Sequence, residues 1–503
     1  MDTYEHNYWS LYLDFIDAYE ELQYKGFSLP YLCHYRSLIV DNPTVMKRLH
    51  SEAFQDVLIN DVKSSSDIQH KFNEFKNAHA AKQKRSNSGK VMLYDIYNLL
   101  RFPPEVIKKY FPAHQTIILK ERKRKKKAEG KKSSKRKERT LRKRRTNQPA
   151  LQKVRSTTST KGQLITTGYF DQFSSNNTNE VQNIKRQAKK ITHLYKNHPM
   201  FSHKLFKERF YEQLTKVITR IDEAEKLFKS VQISCVVVPS THYPESRTLA
   251  LVAARKGIPT ICMQHGIISS EFGYLPQIAD TEAVYGQFEA DWYNERGVPI
   301  EQVAIIGSPR FDRLLNPSSI NKQGLNKELR MDPKKKTILM VVRGERYLRE
   351  LEGFIKALPD MEQVNIVIKD YPGIKPHFLT NKYPQLLPSL NVPLYDLLHH
   401  CDAVVSYSST VALEAMLANK PVFILNSSFP GNSGYFERLQ EYAQIKPEIL
   451  AEKVSKYLMD NKMRSEAQNK IREFLEYAYP VRTLSAKRLI RLIRSVTEPI
   501  GGP

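Results

Sequence analysis

Apolar residues run through this chain in two rhythms. Short continuous apolar runs at 235–238, Thr260–Met263, 337–342, 403–406 and Val422–Leu425 suit strands covered on both faces. Between the first two lies a helical period over 244–256, with Pro244 at its first position and Gly257 and Pro259 closing it. A second helical period, 410–418, separates the 403–406 and Val422–Leu425 runs. Strand, helix and strand within about 30 residues make a βαβ unit of a parallel sheet. Upstream, β-prone runs at 91–94 and 116–119 flank a helical stretch at 103–110, which predicts another such unit. Helical patterning also marks 181–194, Lys204–Ser230 and an Arg- and Leu-rich segment at 483–496, while residues 1–90 read as mixed and mainly helical.

The two clearest units resemble each other. TLALVAARKGIP (248–259) aligns without a gap to TVALEAMLANKP (410–421), with five identities in 12 positions. A polar linker at 316–333 separates them. The predicted class is therefore α/β: two Rossmann-like domains whose parallel sheets face a cleft, where ligands are expected at the carboxyl ends of the strands. The first domain spans 1–318, the second 334–480, and a helix and tail occupy 481–503.

Composition changes this picture at one place. The 503 residues carry a formal net charge of +26, yet residues 120–147 alone hold a net +14 and almost nothing apolar. Such a segment does not offset the entropy of ordering. With the Ser/Thr/Asn-rich stretch that follows, it predicts a disordered basic insertion over 120–178. An anionic membrane surface is one candidate partner, and a solvated loop with no dedicated partner is the equal alternative. Nucleic acid is disfavoured, because no aromatic residues interleave with the charges. The four cysteines (Cys33, Cys235, Cys262, Cys401) lack metal-ligand spacing and read as buried thiols of a reducing compartment. Residues 1–6 are polar and acidic, unlike a signal peptide, and no apolar run reaches the ~18 residues of a membrane span. The expected location is cytoplasmic, with peripheral attachment to the inner membrane face if the basic run engages lipid.

Candidate chemistry clusters where strands end. Thr260–Met263 runs into Gln264-His265-Gly266, which presents a histidine to the cleft as general base or charge stabiliser, or holds it as a turn histidine bonded to nearby backbone. Ser408, Ser409 and Thr410 sit where the 403–406 strand meets its helix, an arrangement that suits a diphosphate or ordinary N-capping. Glu414, one turn further on, aligns with Val252 of the other unit and is placed to accept from a ribose diol. Arg310, in Gly307-Ser308-Pro309-Arg310-Phe311-Asp312, suits a phosphate or an interdomain ion pair, and Arg343 and Lys369 end two further strands. There is no Walker loop, no G-x-G-x-x-G, no D-x-D and no zinc spacing, so no metal or other cofactor is expected.

The stretches MQHGI, AVYGQFEADWYNERGVP, VAIIGSPRFDRL and YSSTVALEAMLANKPVF resemble the GT-B glycosyltransferases of bacterial surface, capsule and spore-coat polysaccharide synthesis. The H-G and G-x-P-R-x-D signatures are shared with CDP-glycerol glycerophosphotransferases. The resemblance covers about 235–425. It implies metal-independent transfer from a nucleotide-sugar donor, held mainly by the second domain, to a glycan or lipid-linked acceptor. It places His265 in the catalytic cleft, Ser408, Ser409 and Thr410 at the diphosphate, and Glu414 at the ribose. Lys369-Asp370-Tyr371-Pro372 departs from the K-x-H-P of such enzymes, since Tyr371 stands where they carry histidine. Two other readings remain open from sequence: glycerophosphate transfer from CDP-glycerol, and a nucleic-acid or anionic-membrane binding protein acting through the basic run.

Overall fold

The computed structural model describes residues 1–82, 88–122, 165–359, 361–370, 375–426, 429–480 and 483–498. The expected disorder of the basic insertion falls largely on 123–164, outside the described residues. Residues 165–178, included in that insertion from sequence, instead hold a short strand and a 3₁₀ turn. Their Thr-Thr-Gly-Tyr pairs in parallel with the preceding strand and so needs no apolar run of its own.

The first sheet has seven strands: β1 (Lys90–Tyr94), β2 (Thr116–Lys120), β3 (Thr166–Tyr169), β4 (Ile233–Val238), β5 (Thr260–Met263), β6 (Thr281–Val284) and β7 (Val303–Ile305). The second has six: β8 (Lys336–Val342), β9 (Val364–Asp370), β10 (Leu386–Pro388), β11 (Ala403–Tyr407), β12 (Val422–Leu425) and β13 (Ala443–Gln444). Their orders are β3-β2-β1-β4-β5-β6-β7 and β10-β9-β8-β11-β12-β13, all parallel. Each order reverses once, between β1 and β4 and between β8 and β11. Crossovers leaving in opposite directions open a crevice there, outside the carboxyl ends of the strands. The continuous apolar runs read from sequence form strands of the two sheets, and every residue of β4, β5 and β12 is buried.

The helices that position the site are α1 (Thr3–Tyr19), α2 (Ser65–His79), α3 (Pro104–Tyr110), α4 (Thr178–Leu194), α5 (Lys204–Ser230), α6 (Pro244–Arg255), α7 (Gln287–Asn294), α8 (Leu394–His400), α9 (Thr410–Leu417), α10 (Asn461–Ala478) and α11 (Ser485–Thr497). An aromatic face on α1, including Tyr8, Trp9, Tyr12 and Phe15, packs against Tyr35, Phe210 and Phe272. Trp9 Nε1 donates to Glu271 Oε2 at 2.8 Å, and Ser65 of α2 and Arg296 also reach Glu271. These contacts fix the loop that follows β5.

Helix α11, within the helix and tail expected at 481–503, belongs to the first sheet in three dimensions, and 481–482 and 499–503 lie outside the described residues. Ala486, Leu489 and Ile493 of α11 share a core with Leu93, Val237, Ile261 and Met263. Burying three aliphatic faces on that sheet, at roughly 1.5–3 kcal/mol for each fully buried Leu or Ile, holds the return. The chain therefore crosses back to the first sheet after the second.

Candidate functional site between the two sheets

At the reversal of the first sheet, β1 runs into residues 95–101, β4 into Pro239 to Tyr243, and β5 into His265. The His265 ring lies flat against Tyr274, with centroids 5.3 Å apart and planes 16° from parallel. It is hydrogen-bonded to the Pro239 carbonyl; burial pulls its pKa down to about 4 against that bond, and the Arg101 charge lowers it further. His265 is thus neutral at pH 7. The bond to a carbonyl fixes its N–H on one side and leaves the other ring nitrogen as an acceptor. The backbone around it is held by Tyr274, whose hydroxyl is 2.9 Å from both the Gly266 and Ile267 carbonyls. Gln264 adds bonds of 2.8 Å to the Gly266 carbonyl, Glu289 and the Tyr285 amide.

At the reversal of the second sheet, Arg343 follows β8, while Ser408 and Ser409 follow β11 and open α9. Ser409 is extended. Its hydroxyl meets Ser406 Oγ at 3.0 Å. Ser409 therefore does not cap α9 through its side chain. Arg343 bonds the Tyr407 hydroxyl beside them. Lys369 stands one strand further out, where its amine donates to the Val392 carbonyl at 2.9 Å and burial lowers its pKa. Asp370 accepts from the Gly344 amide at 3.1 Å, whereas Tyr371 and Pro372 lie outside the described residues.

Three of the contacts that join the halves involve the candidate residues or the His265 loop. Thr410 Oγ1 accepts from the Ile267 amide at 3.1 Å, so this hydroxyl, expected at a diphosphate, also latches the second sheet's helix to the His265 loop. Ser433 donates to the Ile268 carbonyl from the other side. Arg310 forms an ion pair with Glu414 Oε1. Of the two expectations for Arg310, the structure places it in the interdomain ion pair. Glu414 is 1% exposed, and burial raises its pKa while Arg310 opposes that rise. The Tyr395 hydroxyl also bonds this carboxylate, and Oε2 itself is buried with no close hydrogen-bond partner among the described residues.

The rest of the Gly307–Asp312 motif is a clasp. Gly307 has φ +72°, and a Cβ there would lie 2.5 Å from the Tyr479 hydroxyl. That hydroxyl accepts from the Ser308 amide at 2.9 Å. Asp312 accepts from the Ser485 and Ala486 amides at 2.8 and 2.9 Å, capping α11.

A cavity of about 570 Å³ opens between the halves, walled by Asn98, Arg101, Arg310, Tyr395 and Glu414 among others. The structure thus brings Arg310 and Glu414 to one cavity and Thr410 to its seam. Arg343, Ser408 and Ser409 sit at one reversal and His265 at the opposite one. Arg101 and Tyr395 were not legible from sequence. Neither lies in a glycine-rich turn or a recognisable motif, and only the strand reversal beside Arg101 marks its loop.

Two parallel sheets with facing reversal points, closed by a C-terminal helix that returns to the first, decide the architecture. The fold is GT-B. No family model matches the chain. Among curated proteins it is similar to lipid-A-disaccharide synthase of Geobacter metallireducens, with 26% identity over 208 residues, 37% of this chain and 51% of that protein. The lipid-A-disaccharide synthase of Nitrosococcus oceani is 30% identical over 164 residues, 30% of this chain and 40% of that one. The GT-B chain thus spans about half or less of the length of these relatives. Among solved structures it is similar to the wall teichoic acid polymerase TagF, at 13% identity over 86% of this chain and 94% of that one, with a TM-score of 0.44. It is also similar to the S. aureus MnaA-UDP co-structure, at 13% identity over 82% and 99%, with a TM-score of 0.46. No helix among the described residues is long and apolar enough to cross a membrane.

Proposed function

We propose that this protein is a glycosyltransferase that moves a sugar from a nucleotide-sugar donor to a glycan or lipid-linked acceptor. The observation that carries the reading is Glu414: a buried carboxylate with one unpartnered oxygen on the wall of an interdomain cavity. Buried polar atoms in folded proteins are almost always satisfied, and a ribose diol supplies the donor that Oε2 lacks. From there the diphosphate extends toward the N-terminus of α9, with Ser408, Ser409 and Arg343 around it. The sugar then reaches the opposite reversal point, where neutral His265 accepts the proton of the acceptor hydroxyl. The new C–O bond forms at the anomeric carbon as the bond to the phosphate oxygen breaks, and the nucleoside diphosphate leaves with that electron pair. Arg310 positions Glu414, and Lys369 supports the loop at Val392 that precedes α8. The name of the curated relatives, which states synthesis of a lipid disaccharide, supports glycosyl transfer and a lipid-linked acceptor class.

The test is release of nucleoside diphosphate from UDP-, GDP- and CDP-sugars by the full chain, alongside CDP-glycerol, with and without a chelator. Turnover of a nucleotide-sugar that persists with chelator and falls at least about 100-fold in His265→Ala is the expected result. Turnover of CDP-glycerol alone would replace this reading with glycerophosphate transfer.

A further inference from the structure

Helix α4 carries more charge than its own sequence balances. After Glu180 it holds Lys185, Arg186, Lys189 and Lys190 with no further acid, and Lys196 follows shortly after its end. Lys185 with Lys189, and Arg186 with Lys190, stand four residues apart, where like charges oppose a helix. The opposite face is committed to the core. Val181, Ile184 and Ala188 are buried, and Thr192 Oγ1 meets the Tyr19 hydroxyl of α1 at 2.8 Å. The cations are therefore turned outward, and part of them meets a second set from α5.

The connection between the two helices holds that arrangement firmly. His198 Nε2 lies 3.1 Å from the buried Asp14, Met200 and Phe201 are fully buried, and His203 Nδ1 accepts from the Leu205 amide at 3.3 Å. Lys204 and Lys207, at the start of α5, join Lys189 and Lys196 in lining a groove of about 460 Å³. His193 and Tyr211 add to its polar wall. Glu208 is the one carboxylate among the described residues of that wall. It lies 3.9 Å from Lys204 across exposed side chains, a weak pair. Lys189, Lys196 and Lys207 have no acidic partner among the described residues.

Four ammonium groups around one concavity, with a single weakly engaged carboxylate, focus positive potential into it. Each ammonium is a compact charge with three donors, so several converge on the oxygens of one tetrahedral anion. A phosphate with two negative charges meets that demand, and a neutral glycan does not. The groove shares no lining residue with the cavity between the two sheets. It therefore lies apart from the place assigned to the donor.

We propose that the groove between α4 and α5 is a second anion site, which binds the phosphate of a small organophosphate or of an anionic lipid headgroup. The site stands on its own charges and walls, and it does not depend on which group the cleft transfers.

The experiment compares the full-chain wild type with a groove variant, Lys189→Ala/Lys196→Ala/Lys207→Ala. A control of equal charge, Lys185→Ala/Arg186→Ala/Lys190→Ala, removes side chains that do not line the groove. Two probes at one fixed salt concentration separate the sources of phosphate: inorganic pyrophosphate by calorimetric titration, and vesicles of phosphatidylglycerol and phosphatidylcholine by co-sedimentation. The wild type is expected to bind at least one probe. The groove variant should bind it at least about tenfold more weakly, with the control within about twofold of wild type. Loss confined to pyrophosphate assigns a small phosphate ligand, loss confined to vesicles a lipid headgroup, and loss of both the phosphate itself. Equal weakening in the two variants would make the effect one of bulk charge and overturn the site. Unchanged binding by the groove variant, or no binding of either probe by the wild type, overturns it as well. Should the triple variant fail to fold, Lys196→Ala and Lys207→Ala are each expected to lose part of the binding, and no loss in either overturns the proposal.

Discussion

His265 is a base made weak by its surroundings. Its ring is packed against Tyr274 and bonded to the Pro239 carbonyl, and burial brings its pKa to about 4. A general base works only when unprotonated, so activity is lost as pH falls through that value rather than through the ~6.5 of a solvated imidazole. The expected profile of kcat/KM is level from pH 8 to about 5, with its acid limb centred near 4. A limb centred near 6.5 would show that His265 is not the base. Stability moves in the same direction. Between 6.5 and about 4 the unfolded chain binds a proton at His265 that the folded chain refuses, so stability falls as pH drops across that window. The sequence already singled out this histidine from its place after a strand and before a glycine. It did not disclose the Pro239 bond, because a contact between two strand ends depends on sheet order.

At the scale of elements, the sequence was most informative about strands buried on both faces and least informative where pairing substitutes for pattern. Thr260–Met263 and Val422–Leu425 are strands with the limits read from their apolar runs. By contrast, β3 is four residues of Thr, Gly and Tyr at a sheet edge, and nothing in its composition separates it from the basic insertion before it. The Gly307–Asp312 motif carries the same lesson for the site. Arg310 suited a phosphate or an interdomain ion pair, and the structure gives it Glu414, while Asp312 caps a helix that begins 173 residues later. Capping by a carboxylate contributes about 1 kcal/mol, with several tenths more from its charge at the helix end. Asp312→Ala should therefore lower the unfolding free energy by roughly 1–2 kcal/mol in urea titrations, with Asp312→Asn losing less. No change would mean that α11 docks without its cap.

For the whole molecule, two sheets of the same winding and one returning helix place His265 at one strand reversal and the N-terminus of α9 at the other. The repeated sequence units announced the sheets, and the charge count, once divided, announced the basic run at 120–147 as a feature apart from the cleft. What sequence could not supply was the pairing across the cleft: Thr410 with Ile267 and Arg310 with Glu414. Those contacts join residues 104 to 143 positions apart and exist only once both sheets have formed. The central claim is that this cleft holds a nucleotide-activated donor through Glu414. Calorimetric titration of the wild type and Glu414→Ala with UDP, CDP and GDP tests it most directly. The account predicts that one of these binds the wild type in the micromolar range, a free energy of about −8 kcal/mol, and at least about tenfold more weakly after Glu414→Ala. Equal affinity in the two proteins, or no binding by either, would contradict it.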